Sequence, residues 1–199
     1  MLFNYKEVLK IYKNDYQISK AISNHKLYKV EKGIYSNNHN YNQYEIVVKK
    51  YPTAVLVGQT ALYLKGYISK EPPKIFLATK RNALRIKDNR IQQEFYSKFV
   101  EMVKNYFDAI KTENDTFLPT FKDEILLVDL LRKKENYSKE IFEEALNNFK
   151  LNADHIDFWY VENELLDYRK IDLCCEYVPK LDCGNKKDNI RNGWLYNMY

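Results

Sequence analysis

Cysteine, histidine and glycine are all scarce in this 199-residue chain, and each scarcity removes a class of function. Cys174, Cys175 and Cys183 are odd in number, crowd one region and lack CxxC spacing, so they read as free thiols of a reducing compartment rather than a disulfide framework or zinc site. His25, His39 and His155 lie far apart and none has a metal-type partner within one helical turn, which leaves a metal enzyme little to build on. Among so few glycines there is no GxGxxG, GxxxxGK or GxSxG, no HExxH occurs, and Gly58 and Gly66 are too isolated to cradle a phosphate. Lys122-Asp123-Glu124 and Glu101 to Lys104 have the wrong spacing for a metal-dependent nuclease, and the Gly-Ser pair followed by paired aspartates of a nucleotidyltransferase is missing. The expectation is a non-enzyme with no cofactor. No run reaches the roughly 18 to 20 apolar residues of a bilayer span, and Met1 to Lys13 alternates instead of forming a signal peptide's apolar block. A cytoplasmic protein without a membrane partner is expected.

What the chain does have is charge that is unevenly placed. Its net +5 divides into +4 over residues 1–40, +7 over 41–112 and −6 over 113–199. With 45% apolar and 15% aromatic residues it can bury a core that offsets chain entropy, and its length suits two small domains of opposite charge. The excess of 26 Lys over 6 Arg, with 18 Tyr and 20 Asn, is the bias of an AT-rich genome, so only the placement of charge is informative.

In the first forty residues Tyr5, Val8, Leu9 and Tyr12 form the stripe of a short amphipathic helix with Asn4 as its N-cap. Lys13-Asn14-Asp15 breaks it. A second helix, capped by Asn14 or Asp15, turns Ile18, Ala21 and Ile22 inward and Gln17, Ser19, Lys20, Ser23 and Asn24 outward. Short amides and hydroxyls of that kind suit a helix lying in a major groove, where they reach base edges while lysine meets phosphate. Two alternating strands then flank Glu31-Lys32-Gly33, whose glycine permits a positive φ in the turn. Two helices and a basic hairpin carrying Lys26, Lys29 and Lys32 describe a winged helix-turn-helix over residues 1–37. The same pattern also fits a plain helical hairpin with a solvated lysine face.

Residues 41–199 read as a larger mixed α/β domain, making the fold class α+β. Helical patterns cover 41–50, ended by Pro52, and 58–64, and an apolar run at 54–57 fits either a buried strand or a helix's first turn. Pro72-Pro73 opens a strand over 74–79, residues 97–110 carry one amphipathic stripe, and 111–122 is a polar connection interrupted by Pro119. Helices follow from Glu124 and from near Ser138. Half of the chain's arginines lie within residues 80–90, where Lys80, Arg81, Arg85, Lys87 and Arg90 face only Asp88. Arginine's planar fork suits phosphate, so this is the best second nucleic-acid contact, with a solvated basic hairpin as the alternative. Residues 154–182 interleave acids with Phe158, Trp159 and Tyr160, as a basic partner, a sister domain or a plain soluble surface would equally require. The tail from Lys186 to Tyr199 packs only if it folds back.

The runs Tyr5-Lys6-Glu7-Val8-Leu9, Ile18-Ser19-Lys20-Ala21-Ile22 and Lys26-Leu27-Tyr28-Lys29-Val30-Glu31-Lys32-Gly33-Ile34-Tyr35 together resemble the opening of the AbiEi antitoxins, from type IV abortive-infection toxin–antitoxin pairs. The similarity continues over 51–67, with Val57-Gly58-Gln59-Thr60-Ala61 at its centre, over 73–79 and over 123–132. Lys26 stands where the family has glycine, Ile125 and Leu126 where it has Arg and Thr, the family's first helix is absent or compressed, and nothing matches firmly beyond about residue 150. The resemblance implies a repressor that binds inverted repeats in its own promoter. It also implies antagonism of a nucleotidyltransferase-like toxin, without a necessarily stable complex. On that basis Gln17, Ser19, Ser23 and Asn24 are expected to contact bases, and Lys13, Lys20, Lys26, Lys29, Lys32, Lys80, Arg81, Arg85, Lys87 and Arg90 to contact phosphates. An ordinary winged-helix regulator with a dimerising or ligand-sensing C-terminal domain and no toxin is the alternative.

Overall fold

The structure, a computed structural model, describes residues 1–167 and Tyr177. The three cysteines, the acids Asp172, Glu176 and Asp182 and the tail 186–199 lie outside the described residues. The described chain is α+β and forms two compact units, residues 1–66 with 71–122, and residues 67–70 with those from 123 onward. The division keeps the sign of the charge split: the first unit holds 20 Lys+Arg against 11 Asp+Glu, the second 12 against 16. Among the described residues no helix is long and apolar enough to cross a membrane.

The first unit opens with a short strand, β1 (Leu2–Asn4), that runs straight into α1 (Tyr5–Tyr12). Asn4 is both the strand's end and the helix's N-cap: its Oδ1 accepts the Glu7 N–H at 3.0 Å and its own N–H donates to Glu7 Oε2 at 2.7 Å, a complete capping box. Helix α2 (Asp15–Ser23) leads to a hairpin of β2 (Tyr28–Glu31) and β3 (Ile34–Ser36), and β1 pairs antiparallel with β3 to give a three-stranded sheet ordered β1-β3-β2. Val8, Ile18, Ala21, Leu27 and Tyr35 form the core beneath it.

Helix α3 (Gln43–Lys50) is amphipathic in two directions. Ile46 packs with Leu2 and Ile34 of the first sheet, whereas Tyr44 and Val47 pack with Leu56, Ile75 and Leu77 of a second. That second sheet contains β4 (Val55–Leu56), β5 (Ile75–Lys80), β6 (Ile91–Tyr96), β7 (Phe107–Lys111) and β8 (Phe117–Phe121) in the order β6-β5-β4-β8-β7, with α4 (Gly58–Leu64) after β4 and α5 (Phe99–Tyr106) before β7. The apolar run at 54–57 is therefore a buried strand. The stripe over 97–110 is not one helix, because Phe107 and Ile110 belong to β7, where antiparallel pairing with β8 (Ile110 opposite Leu118) overrides helical periodicity. Pro119 sits within β8, tolerated where β4 is too short to pair beyond Leu56 opposite Thr120.

The described residues of the second unit are mainly helical. Helix α6 (Asp123–Arg132) buries Ile125, Leu126 and Leu127, α7 (Lys139–Leu151) is capped by Ser138, and α8 (Phe158–Asp167) follows. Tyr67 stacks on Phe149 with ring centroids 3.9 Å apart and donates its hydroxyl to Asp123 at 2.8 Å.

Candidate nucleic-acid interface

Helix α2 begins where Asn14 turns its side chain back to accept the Gln17 N–H at 2.9 Å. Ile18 and Ala21 are buried, and at 100° per residue Tyr16, Gln17, Ser19, Lys20, Ser23 and Asn24 share about 160° of the opposite face. All six are exposed. The Ser23 hydroxyl donates to the Ser19 carbonyl at 3.1 Å, which leaves its oxygen as an outward acceptor. Tyr16, 72% exposed at the centre of this face, is the residue that periodicity missed, since an aromatic beside an apolar stripe reads as core. The chain enters and leaves α2 through left-handed residues, Lys13 (φ 69°) and His25 (φ 55°). The positive φ before the hairpin therefore falls on His25, and Lys26 in place of a glycine needs no unusual backbone.

In the hairpin Gly33 adopts φ +80°, and its Cβ position would meet nothing within 4 Å, so the glycine answers to the backbone and not to crowding. A register shift between Lys29 and Glu31 bulges β2. Lys26, Lys29 and Lys32 are exposed while Glu31, the only acid here, is half-buried.

Residues 81–90 are not a hairpin loop. β5 and β6 are parallel neighbours in register from Ile75 opposite Ile91 to Lys80 opposite Tyr96, so the segment between them returns along the whole length of β5 as an extended strap. The Gln93 side chain pins its middle, accepting the Ile86 N–H at 2.8 Å and donating to the Leu84 carbonyl at 3.1 Å and to Thr79 Oγ1 at 2.9 Å. Lys80, Arg81, Arg85 and Lys87 are exposed, and like Lys13, Lys20, Lys26, Lys29 and Lys32 they form no ion pair among the described residues.

Arg90 differs from the other expected phosphate contacts. Its Nη1 donates to Glu31 Oε1 at 2.6 Å, its Nη2 to Asp88 Oδ2 at 2.8 Å and its Nε to Asp88 Oδ1 at 3.0 Å. Lys50 Nζ, from the last turn of α3, reaches Asp88 at 3.0 Å and Glu31 at 3.2 Å. Two cations and two carboxylates thus join strap, hairpin and helix. The Arg90 hydrogen bonds hold both carboxyls below their ordinary pKa, far below in the case of Asp88. Burial works against the Lys50 charge, but hydrogen bonds to Asp88 and Glu31 outweigh it and raise its pKa. The preceding residue, Lys49, makes a parallel link at 2.8 Å to Glu7 of α1. In the first turn of α3, Glu45, 2% exposed, accepts from Thr112 Oγ1 at 2.7 Å and Asn114 Nδ2 at 3.1 Å.

No family model and no curated protein matches the chain. Among the described residues no cluster of His, Cys, Asp or Glu could hold a metal ion.

Proposed function

We propose that the chain is a sequence-specific DNA-binding protein whose residues 1–37 act as a winged helix-turn-helix, and that it serves as the antitoxin of a type IV toxin–antitoxin pair. In this reading it represses its own promoter by binding inverted repeats, works in the cytoplasm, catalyses nothing, and opposes a nucleotidyltransferase-like toxin without needing a stable complex. Residues 41–199 form the antitoxin domain.

One observation carries the DNA-binding part: a capped helix exposes a face of short amides and hydroxyls with a single lysine, followed by Lys26 and by a hairpin carrying Lys29 and Lys32, all three exposed and unpaired. Neutral hydrogen-bonding groups framed by cations are the division of labour that base readout and phosphate anchoring require. Lys80 at the end of β5, with Arg81, Arg85 and Lys87 on the strap pinned by Gln93, adds a second cationic edge. The antitoxin part rests on the resemblance of residues 5–35, 51–67, 73–79 and 123–132 to the AbiEi pattern.

Co-expression with the product of the adjacent downstream reading frame tests the antitoxin assignment. Growth arrest by that product alone, relieved by this chain, is the expected result; a downstream product harmless by itself leaves an ordinary regulator.

A further inference from the structure

We infer that Arg90 and Lys50 are positioning residues: by holding Glu31 and Asp88 they set the angle of the 28–36 hairpin against the 81–90 strap, so that two cationic edges meet one DNA backbone at a fixed spacing. The inference rests on the DNA-binding reading and specifies how that surface is held.

Arg90 spends its planar fork on Asp88, one N–H to each carboxylate oxygen, and its remaining Nη1 on Glu31. A bidentate seat of this kind fixes direction as well as distance. Lys50 bridges the same two carboxylates, so the four groups sum to zero charge and add nothing to the long-range attraction of a polyanion. A phosphate reaching Arg90 would have to displace a carboxylate already bound, and would do so beside the second one. The charges left for phosphate are the exposed, unpaired lysines and arginines on either side, Lys29 and Lys32 on the hairpin and Arg85 and Lys87 on the strap.

The alternatives differ in sign. If Arg90 were a phosphate ligand, Glu31 would be an anion 2.6 Å from a DNA contact, and removing it would tighten binding. If Arg90 positions the hairpin, removing Glu31 weakens binding even though the protein becomes more positive. The test measures binding of the full-length protein to two labelled duplexes by fluorescence anisotropy across a salt series. One duplex carries the region upstream of its own reading frame, the other a mixed sequence of equal length. Glu31→Ala and Arg90→Gln are each expected to weaken binding to the upstream duplex by roughly three- to tenfold with an unchanged salt slope, the double variant being no weaker than either. Arg85→Ala is expected to reduce the slope by about 0.9, as the loss of one phosphate contact does. Should Glu31→Ala fail to fold, Glu31→Gln carries the test, with weaker binding at constant slope expected. Binding by the Glu31 variant at or above wild-type strength, or a slope lowered by about 0.9 in Arg90→Gln, overturns the inference. Failure of the wild-type protein to bind either duplex in a salt-dependent way overturns the DNA-binding reading instead.

Discussion

Gln93 holds Ile86 across the strap: its side-chain oxygen accepts the Ile86 N–H at 2.8 Å while its amide nitrogen donates to the carbonyl of Leu84, two residues earlier. Because Arg85 lies between the two anchored positions, its backbone direction is set by a side chain on β6. Replacing Gln93 with Leu removes the acceptor and both donors at similar volume. Amide hydrogen exchange at Ile86 is then expected to accelerate by at least about tenfold while exchange in β5 stays unchanged, since the strap opens locally without the sheet unfolding. Equal protection in the variant would show that the strap is held by its ends alone.

The Asp88 carboxylate gives the fold a defined response to acid. Its pKa is lowered by the Arg90 hydrogen bonds, and Glu31 is lowered by the same guanidinium. Groups depressed in the folded state contribute stability above their unfolded pKa, about 4, and lose it as pH falls toward the folded value. Wild type is therefore expected to exceed Asp88→Asn by on the order of 1 kcal/mol at neutral pH, the scale of a partly exposed network. The difference should hold down to about pH 5, begin to shrink below about pH 4 and vanish only as pH approaches the depressed folded value. Urea midpoints of the two proteins at several pH values measure it; a gap that persists into strong acid would assign the loss to shape and not to charge.

Bases and phosphates should separate by experiment on α2 and the adjoining hairpin. Gln17→Ala is expected to lose about 1 to 3 kcal/mol of preference for the upstream duplex over mixed sequence while keeping the salt slope. Lys20→Ala and Lys29→Ala are each expected to lower affinity for both duplexes alike and to reduce the slope by about 0.9. Competition binding at several salt concentrations distinguishes the two. Tyr16, exposed among these residues, should follow Gln17 if it contacts a base step, with Tyr16→Ala reducing preference more than slope.

Where local chemistry decides structure, the sequence was legible. Asn4, Asn14 and Ser138 start helices because each side chain reaches an N–H three residues on, and Gly33 marks the hairpin turn through its φ. Pairing between distant segments was not legible. β1 is three residues long and disappears into the stripe of α1, and β7 carries Phe107 and Ile110 at spacings that continue α5. The parallel course of β5 and β6 turned an expected hairpin into a strap. The same limit applied to the site. Exposure of Gln17, Lys20 and Lys29 follows from periodicity, but nothing within residues 80–90 reveals that Arg90 would be taken up by Glu31, fifty-nine positions away. Arginine in a basic cluster looks alike whether its partner is a phosphate or a carboxylate.

Gly33 separates backbone cost from crowding. Its φ of +80° lies where an L side chain is strained, yet a Cβ there would enter open space. Gly33→Ala is therefore expected to destabilise the protein by about 1 to 2 kcal/mol through backbone strain alone. Gly33→Asn should cost less, since asparagine tolerates the left-handed region through local hydrogen bonding. Chemical denaturation of the two variants should rank them in that order, with Asn closer to wild type. Because the hairpin carries Glu31, a turn distorted by alanine should also disturb the seat of Arg90, so Gly33→Ala is expected to weaken DNA binding without changing its salt slope. A variant as destabilised by asparagine as by alanine would mean that neighbouring atoms, and not the φ angle, require glycine at this turn.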